Sequence, residues 1–130
     1  MRIPRDDLRL ALAHDRQRAA AKIALAAVFR LLCRQARGLM RGGPAPPTAD
    51  RVYGNFQSGR MTAGYVTAVL GRLDTPTAEI YFHPSLAVED APFGPNPGDL
   101  AALRSPQVRR AILERAITPA AYASLPQRSV

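Results

Sequence analysis

Between Asp6 and Arg41 the chain contains no proline, and no glycine before Gly38, while Ala, Leu, Arg and Gln dominate. Such a stretch favours helix over most of its length. Pro4 and the Asp6-Asp7 pair suit a helix start, because a proline fits the first turn and carboxylates oppose the positive end of the helix dipole. Leu25, Phe29, Leu32, Ala36 and Leu39 recur at three- and four-residue steps and mark one apolar stripe. Arg30, Arg34, Arg37 and Arg41 fall largely outside it, which gives the segment a basic face. His14 and Asp15 are weaker helix formers and leave room for a break around Ala13 to Arg16.

That segment also holds most of the charge. The whole chain of 130 residues has a formal net charge of +8, and residues 1–43 alone carry +7 of it, from nine Arg and one Lys against three Asp. One small domain fits this length, and a complete barrel of eight strand and helix units, which needs about 200 residues or more, does not. No run of about 18 residues is apolar and free of charge, so no membrane-spanning helix is expected. Residues 1–7 lack the apolar centre of a secretory signal. A single cysteine, Cys33, has no internal disulfide partner, which fits a cytoplasmic location.

Gly42-Gly43-Pro44-Ala45-Pro46-Pro47 ends the helical segment. Three regions follow from this reading of a single partial domain: a basic helical segment over 1–43, a proline-rich loop over 44–47 and an α/β remainder over 48–130. Within the remainder, Asp50 to Gly54 suits a very short strand, and Asn55 to Arg60 a loop. Thr62 is a candidate N-cap for a helix through Leu73, with Tyr65, Val66, Val69, Leu70 and Leu73 at helical spacing. Thr75-Pro76 breaks it. Thr77 to Phe82 follows as a strand that Pro84 must stop, with Ala78, Ile80 and Phe82 on one face and Glu79, Tyr81 and His83 on the other. Residues 84 to 98 hold four prolines and two glycines and read as irregular loop. Ser105-Pro106 then opens a helix through about Ala116, with Val108, Ala111 and Ile112 buried.

No Cys/His cluster has metal-ligand spacing, no glycine-rich phosphate loop is present, and no G-x-S-x-G occurs. His83 is the most informative residue. It ends an expected strand, and the carboxyl ends of strands line active sites in α/β folds, where an imidazole serves as general acid or metal ligand. The same position suits a structural histidine, and the residues alone leave both roles open. His14 reads as surface and Cys33 as a small hydrophobe. The Arg-rich helix has only Phe29 to offer a base for stacking, so a solvated face is favoured over nucleic-acid binding, with at most weak contact to a membrane surface.

Arg51-Val52-Tyr53-Gly54, Ser58-Gly59-Arg60-Met61-Thr62 and Glu79-Ile80-Tyr81-Phe82-His83-Pro84, in that order and spacing, resemble the C-terminal part of YdjC-like carbohydrate deacetylases, closest to their hopanoid-biosynthesis-associated branch. Arg2-Ile3-Pro4 ahead of a long Arg-rich helix is similar too. The resemblance implies an α/β fold that is the C-terminal portion of a TIM-barrel-like domain. It implies hydrolysis of acetamido groups on sugars with a divalent metal, Mg or Zn, in the complete domain. The family's metal ligands, an Asp of an Asp-Asp motif and histidines of the N-terminal half, have no counterpart here, so no cofactor is expected in this chain and no activity from it alone. His83 matches the family's strand-end histidine and would protonate the leaving amine or stabilise the tetrahedral intermediate. Phe56 and Arg60 would face a sugar through ring stacking and hydrogen bonds. The expected partners are a sugar or glycolipid substrate and either further copies of the chain or a missing N-terminal half. A non-catalytic α/β interaction module is the rival reading.

Overall fold

The computed structural model describes residues 6–39, 48–86 and 96–125, with the backbone alone at residues 37 and 39. Pro4, the Arg2-Ile3-Pro4 motif, the 42–47 loop, the centre of the 84–98 loop and the side chain of Leu39 therefore lie outside the described residues.

The first helical segment is two helices, α1 over Leu8–His14 and α2 over Ala19–Leu39, separated where His14 and Asp15 weaken the run. Asp7 caps α1, its carboxylate accepting from the Leu10 amide at 3.0 Å. In the turn, Lys22 Nζ donates to the Asp15 carbonyl at 2.7 Å, to Asp15 Oδ2 at 3.2 Å and to Gln57 Oε1 at 3.4 Å. Gln57 in turn donates to the Ala11 carbonyl at 2.9 Å. A buried lysine and a buried glutamine thus satisfy each other while pinning both helices to the loop that follows the first strand.

That strand, β1, spans Arg51–Tyr53, and α3 spans Ala63–Gly71. Thr62 caps α3 as its position predicts, accepting from the Tyr65 amide at 3.1 Å. Strand β2, Ala78–Ile80, lies parallel to β1 with Val52 opposite Glu79. The pairing continues beyond both strands. At the amino end Asp50 and Thr77 exchange backbone and side-chain bonds, and at the carboxyl end the Tyr81 amide donates to the Tyr53 carbonyl at 2.8 Å. β1, α3 and β2 form one strand-helix-strand unit, so the α/β character holds. Among the described residues the sheet has these two strands.

Helices α4, Pro97–Leu103, and α5, Pro106–Glu114, complete the layer over α3, followed by a 3-10 turn at Tyr122–Ser124. The stretch expected to be loop through residue 98 ends sooner, because Pro97 occupies a first-turn position where its missing N–H costs nothing. α3 contains no charged residue and packs against α1, α4 and α5, which is how a helix apolar on nearly every side becomes buried. Tyr65, Val66, Val69 and Leu70 of α3 meet Leu10 and Ala11 of α1, Ala102 of α4, Val108 and Ala111 of α5, and Met61. From the α2 stripe, Leu25 and Phe29 pack on this core, whereas Leu32 stands exposed, so the stripe is divided between the protein's own core and its surface.

Candidate active site

Two parallel strands with one crossover bring their carboxyl ends side by side. Gly54, the first residue past β1, adopts φ +102°, and a Cβ there would collide with the Tyr81 carbonyl oxygen past the end of β2. Only glycine permits that approach. The two strand ends are therefore held in contact, and the chemistry-bearing side chains around them come from four segments.

His83 follows β2. Its ring stands edge-on to Tyr81 with centroids 4.6 Å apart, the same-face neighbour that strand alternation predicts. Its backbone amide donates to Asp99 Oδ2 at 3.0 Å. Asp99, in the first turn of α4, is wholly buried, and its other oxygen accepts from the Met61 amide at 2.9 Å. One carboxylate on α4 thereby fixes both the start of α3 and the residue that follows β2.

A second carboxylate occupies the turn after β1. Asp6 accepts from the amides of Phe56 at 3.1 Å and Asp7 at 2.8 Å, and hydrogen bonds from Asn55 and Gly54 reach it as well. Successive amides of this kind form a concavity suited to an anion. Burial outweighs them and raises the Asp6 carboxyl to about 6. Beside it the hydroxyl of Tyr65 is buried with no hydrogen-bond partner among the described residues. Burial, reinforced by Asp6 and Asp7, lifts that phenol far above its ordinary value.

Apart from the Phe56 amide that bonds Asp6, Phe56 and Arg60 take no part in this arrangement. Phe56 is 6 % exposed, with its ring tilted against Phe29 at 5.8 Å between centroids. Arg60 is exposed, but its guanidinium turns to Asp15 at 3.5 Å and to Gln17 Oε1 at 2.6 Å. That Asp15 carboxyl is held below its ordinary value by the Gln17 amide first, then by Lys22 and Arg60. Both residues thus do packing and tethering work in the described structure. An open groove of about 960 Å³ runs from α1 to α2, lined among others by Asp6, Arg9, Phe29, Arg30, Arg34 and Phe56.

Among the described residues no three His, Cys, Asp or Glu side chains converge on a point where an ion would sit. His14 bonds the Leu10 carbonyl through Nδ1 and packs on Tyr65, remote in role from His83. The described residues therefore do not by themselves make up a divalent-metal site. Sequence reasoning missed Asp6 as a strand-end carboxylate, having assigned it to the helix start, and missed Asp99. Asn96-Pro97 with an acid two residues later is the helix-opening signal that would have placed Asp99 in a first turn.

Side chains gathered at the carboxyl ends of parallel strands are where α/β proteins of many activities place their chemistry, and comparison narrows the choice. The family model for YdjC-like proteins matches residues 1–114, so the chain belongs to the YdjC-like family. Membership points to carbohydrate deacetylase-like function in broad terms. No curated protein and no solved structure gives a match to the chain.

Proposed function

We propose that the chain supplies the proton-donor side of a carbohydrate N-deacetylase of the hopanoid-associated kind, acting on an amino-sugar-bearing molecule, with the metal-binding side supplied by a segment that these 130 residues do not contain. The observation that carries this reading is His83 three residues past a parallel strand in a YdjC-like chain, its backbone tied to a buried carboxylate. In that role the imidazole donates a proton to the departing amine as the C–N bond breaks, with Tyr81 against the ring and Asp99 anchoring the backbone that carries it. The described residues offer no ion site to activate water, so the chain alone is expected to release no acetate.

Acetate release from acetylated chitooligosaccharides, with Zn²⁺, Mg²⁺ or Co²⁺ added, tests the second half of this reading. Metal-dependent release above a His83→Ala control overturns it. Joined to a metal-binding half, His83→Ala is expected to lower turnover by about 10²–10⁴-fold with metal content unchanged. Near-normal turnover would return His83 to the structural residues, and loss of metal would make it a ligand. A second reading, a non-catalytic module that completes its sheet with another chain, is favoured by one observation, the two-stranded parallel sheet.

A further inference from the structure

Helix α2 turns a second apolar face outward. Leu25, Phe29 and Cys33 address the core, yet Ile23 is 54 % exposed, Val28 51 %, Leu31 57 % and Leu32 46 %. Val28, Leu31 and Leu32 lie at three- and four-residue steps, with exposed Ala24 one turn earlier, so they form one continuous outer stripe. Arg30 and Arg34, also one turn apart, flank it next to Ile23 and Ala27, and Arg16 and Arg18 stand exposed in the turn ahead of the helix. From Arg16 to Leu39 the sequence has no acidic residue at all. Among the described residues none of these four guanidinium groups forms an ion pair.

We propose that this outer face of α2 docks the protein onto an anionic lipid bilayer, with Leu31, Val28 and Leu32 entering the interface and Arg30 and Arg34 meeting lipid phosphates. The inference goes beyond deacetylation and stands without it. Charge decides among the occupants. A second copy would set unpaired arginines against arginines, since the helix carries no acid to answer them. Nucleic acid answers the arginines but leaves four large aliphatic side chains in water, and the one aromatic ring of α2, Phe29, is turned inward against Phe56. A bilayer with acidic headgroups satisfies both: apolar side chains reach the acyl boundary, and the flexible arginine stems keep their heads at the phosphates. No described helix is long and apolar enough to cross a membrane, so the helix lies in the surface.

The test is co-sedimentation of the full chain with phosphatidylcholine vesicles made with and without phosphatidylglycerol. Binding is expected only with the acidic lipid, and part of it should persist at about 0.5 M salt, where charge is largely screened. Arg30→Gln with Arg34→Gln should weaken partitioning about thirty-fold, near five-fold for each charge. The chain has no tryptophan, so Leu31→Trp gives a single probe whose emission should shift to the blue on acidic vesicles. Leu31→Ser with Leu32→Ser should reduce binding while leaving the melting temperature within a few degrees, because both side chains are exposed. The proposal is overturned by failure to bind acidic vesicles, by an unshifted tryptophan, or by binding that salt abolishes and Leu31→Ser leaves intact. A dimer that Leu31→Ser dissociates, or binding to polyglutamate in place of vesicles, would likewise overturn it and assign the face to protein.

Discussion

Among the described residues Asp99 meets two backbone amides and no cation, although it is wholly buried. A carboxylate can accept from both amides at once, whereas an amide of the same shape has one oxygen and must turn its NH2 toward the other donor. Asp99→Asn is therefore expected to destabilise the fold by about 1–3 kcal/mol, the cost of a buried donor left unpaired. Urea unfolding measures the loss, and faster hydrogen exchange at the His83 and Met61 amides would locate it. Asp6 obeys the opposite logic. Its carboxyl is raised from 3.8 to about 6, so the native state holds a proton that the unfolded chain has already released. Its contribution to stability is complete below about pH 4 and is lost as pH rises through about 6, up to roughly 3 kcal/mol. Comparing the parent with Asp6→Asn at pH 4 and pH 7 isolates that slope: the variant should lack it, and equal slopes would show that Asp6 does not titrate abnormally. Neither carboxylate was legible as a partner of the strand ends. Each reaches amides that are distant in sequence, Asp6 that of Phe56 and Asp99 that of Met61, and local pattern carries no information about such pairings.

The elements themselves divide by how local their causes are. α3 was legible at its start because a cap and an apolar run specify it from within, although it ends at Gly71, two residues short of the expected Leu73, and Thr62→Ala should cost about 1 kcal/mol in thermal or urea unfolding. The break between α1 and α2 was legible for the same reason. β2 came out shorter than the alternation of Thr77 to Phe82 suggests, because a strand extends only as far as its neighbour, and β1 is three residues long. α4 was hidden by proline and glycine content that reads as loop until a first-turn position is allowed for. The turn after β1 depends on contact with β2 as well as on its own sequence. At φ +102° a non-glycine residue costs about 1–3 kcal/mol in backbone conformation alone. Gly54→Ala adds a collision with Tyr81 and should exceed that range, with the His83 and Tyr81 resonances shifting together as the strand ends separate. Resonances left in place would mean that the two ends are not coupled through Gly54.

At the scale of the whole molecule, the concentration of charge in residues 1–43 was evident from sequence, while its meaning depended on which side of α2 faces the core. The stripe through Leu25 and Phe29 is in large part spent on the protein's own core, with Leu32 left at the surface, so it makes a poor candidate for self-association. The sheet is the better one. Parallel strands occur almost only in larger sheets covered on both faces, and two strands alone are marginal. Glu79 and Tyr81 direct their amides toward β1, as the Tyr81 to Tyr53 bond shows, so Ala78 and Ile80 direct theirs to the outer edge, where no strand follows among the described residues. Ala78 is exposed and opens the strand, a position where proline is tolerated without loss of a ladder bond to β1. The chain is accordingly expected to sediment as a dimer or larger assembly at micromolar concentration. Ala78→Pro should shift it toward monomer with the β1–β2 pairing intact, and Leu31→Ser should leave the assembly unchanged. A parent that sediments as a stable monomer would show that the outer edge of β2 is closed within the chain, and an assembly indifferent to Ala78→Pro would place the contact elsewhere.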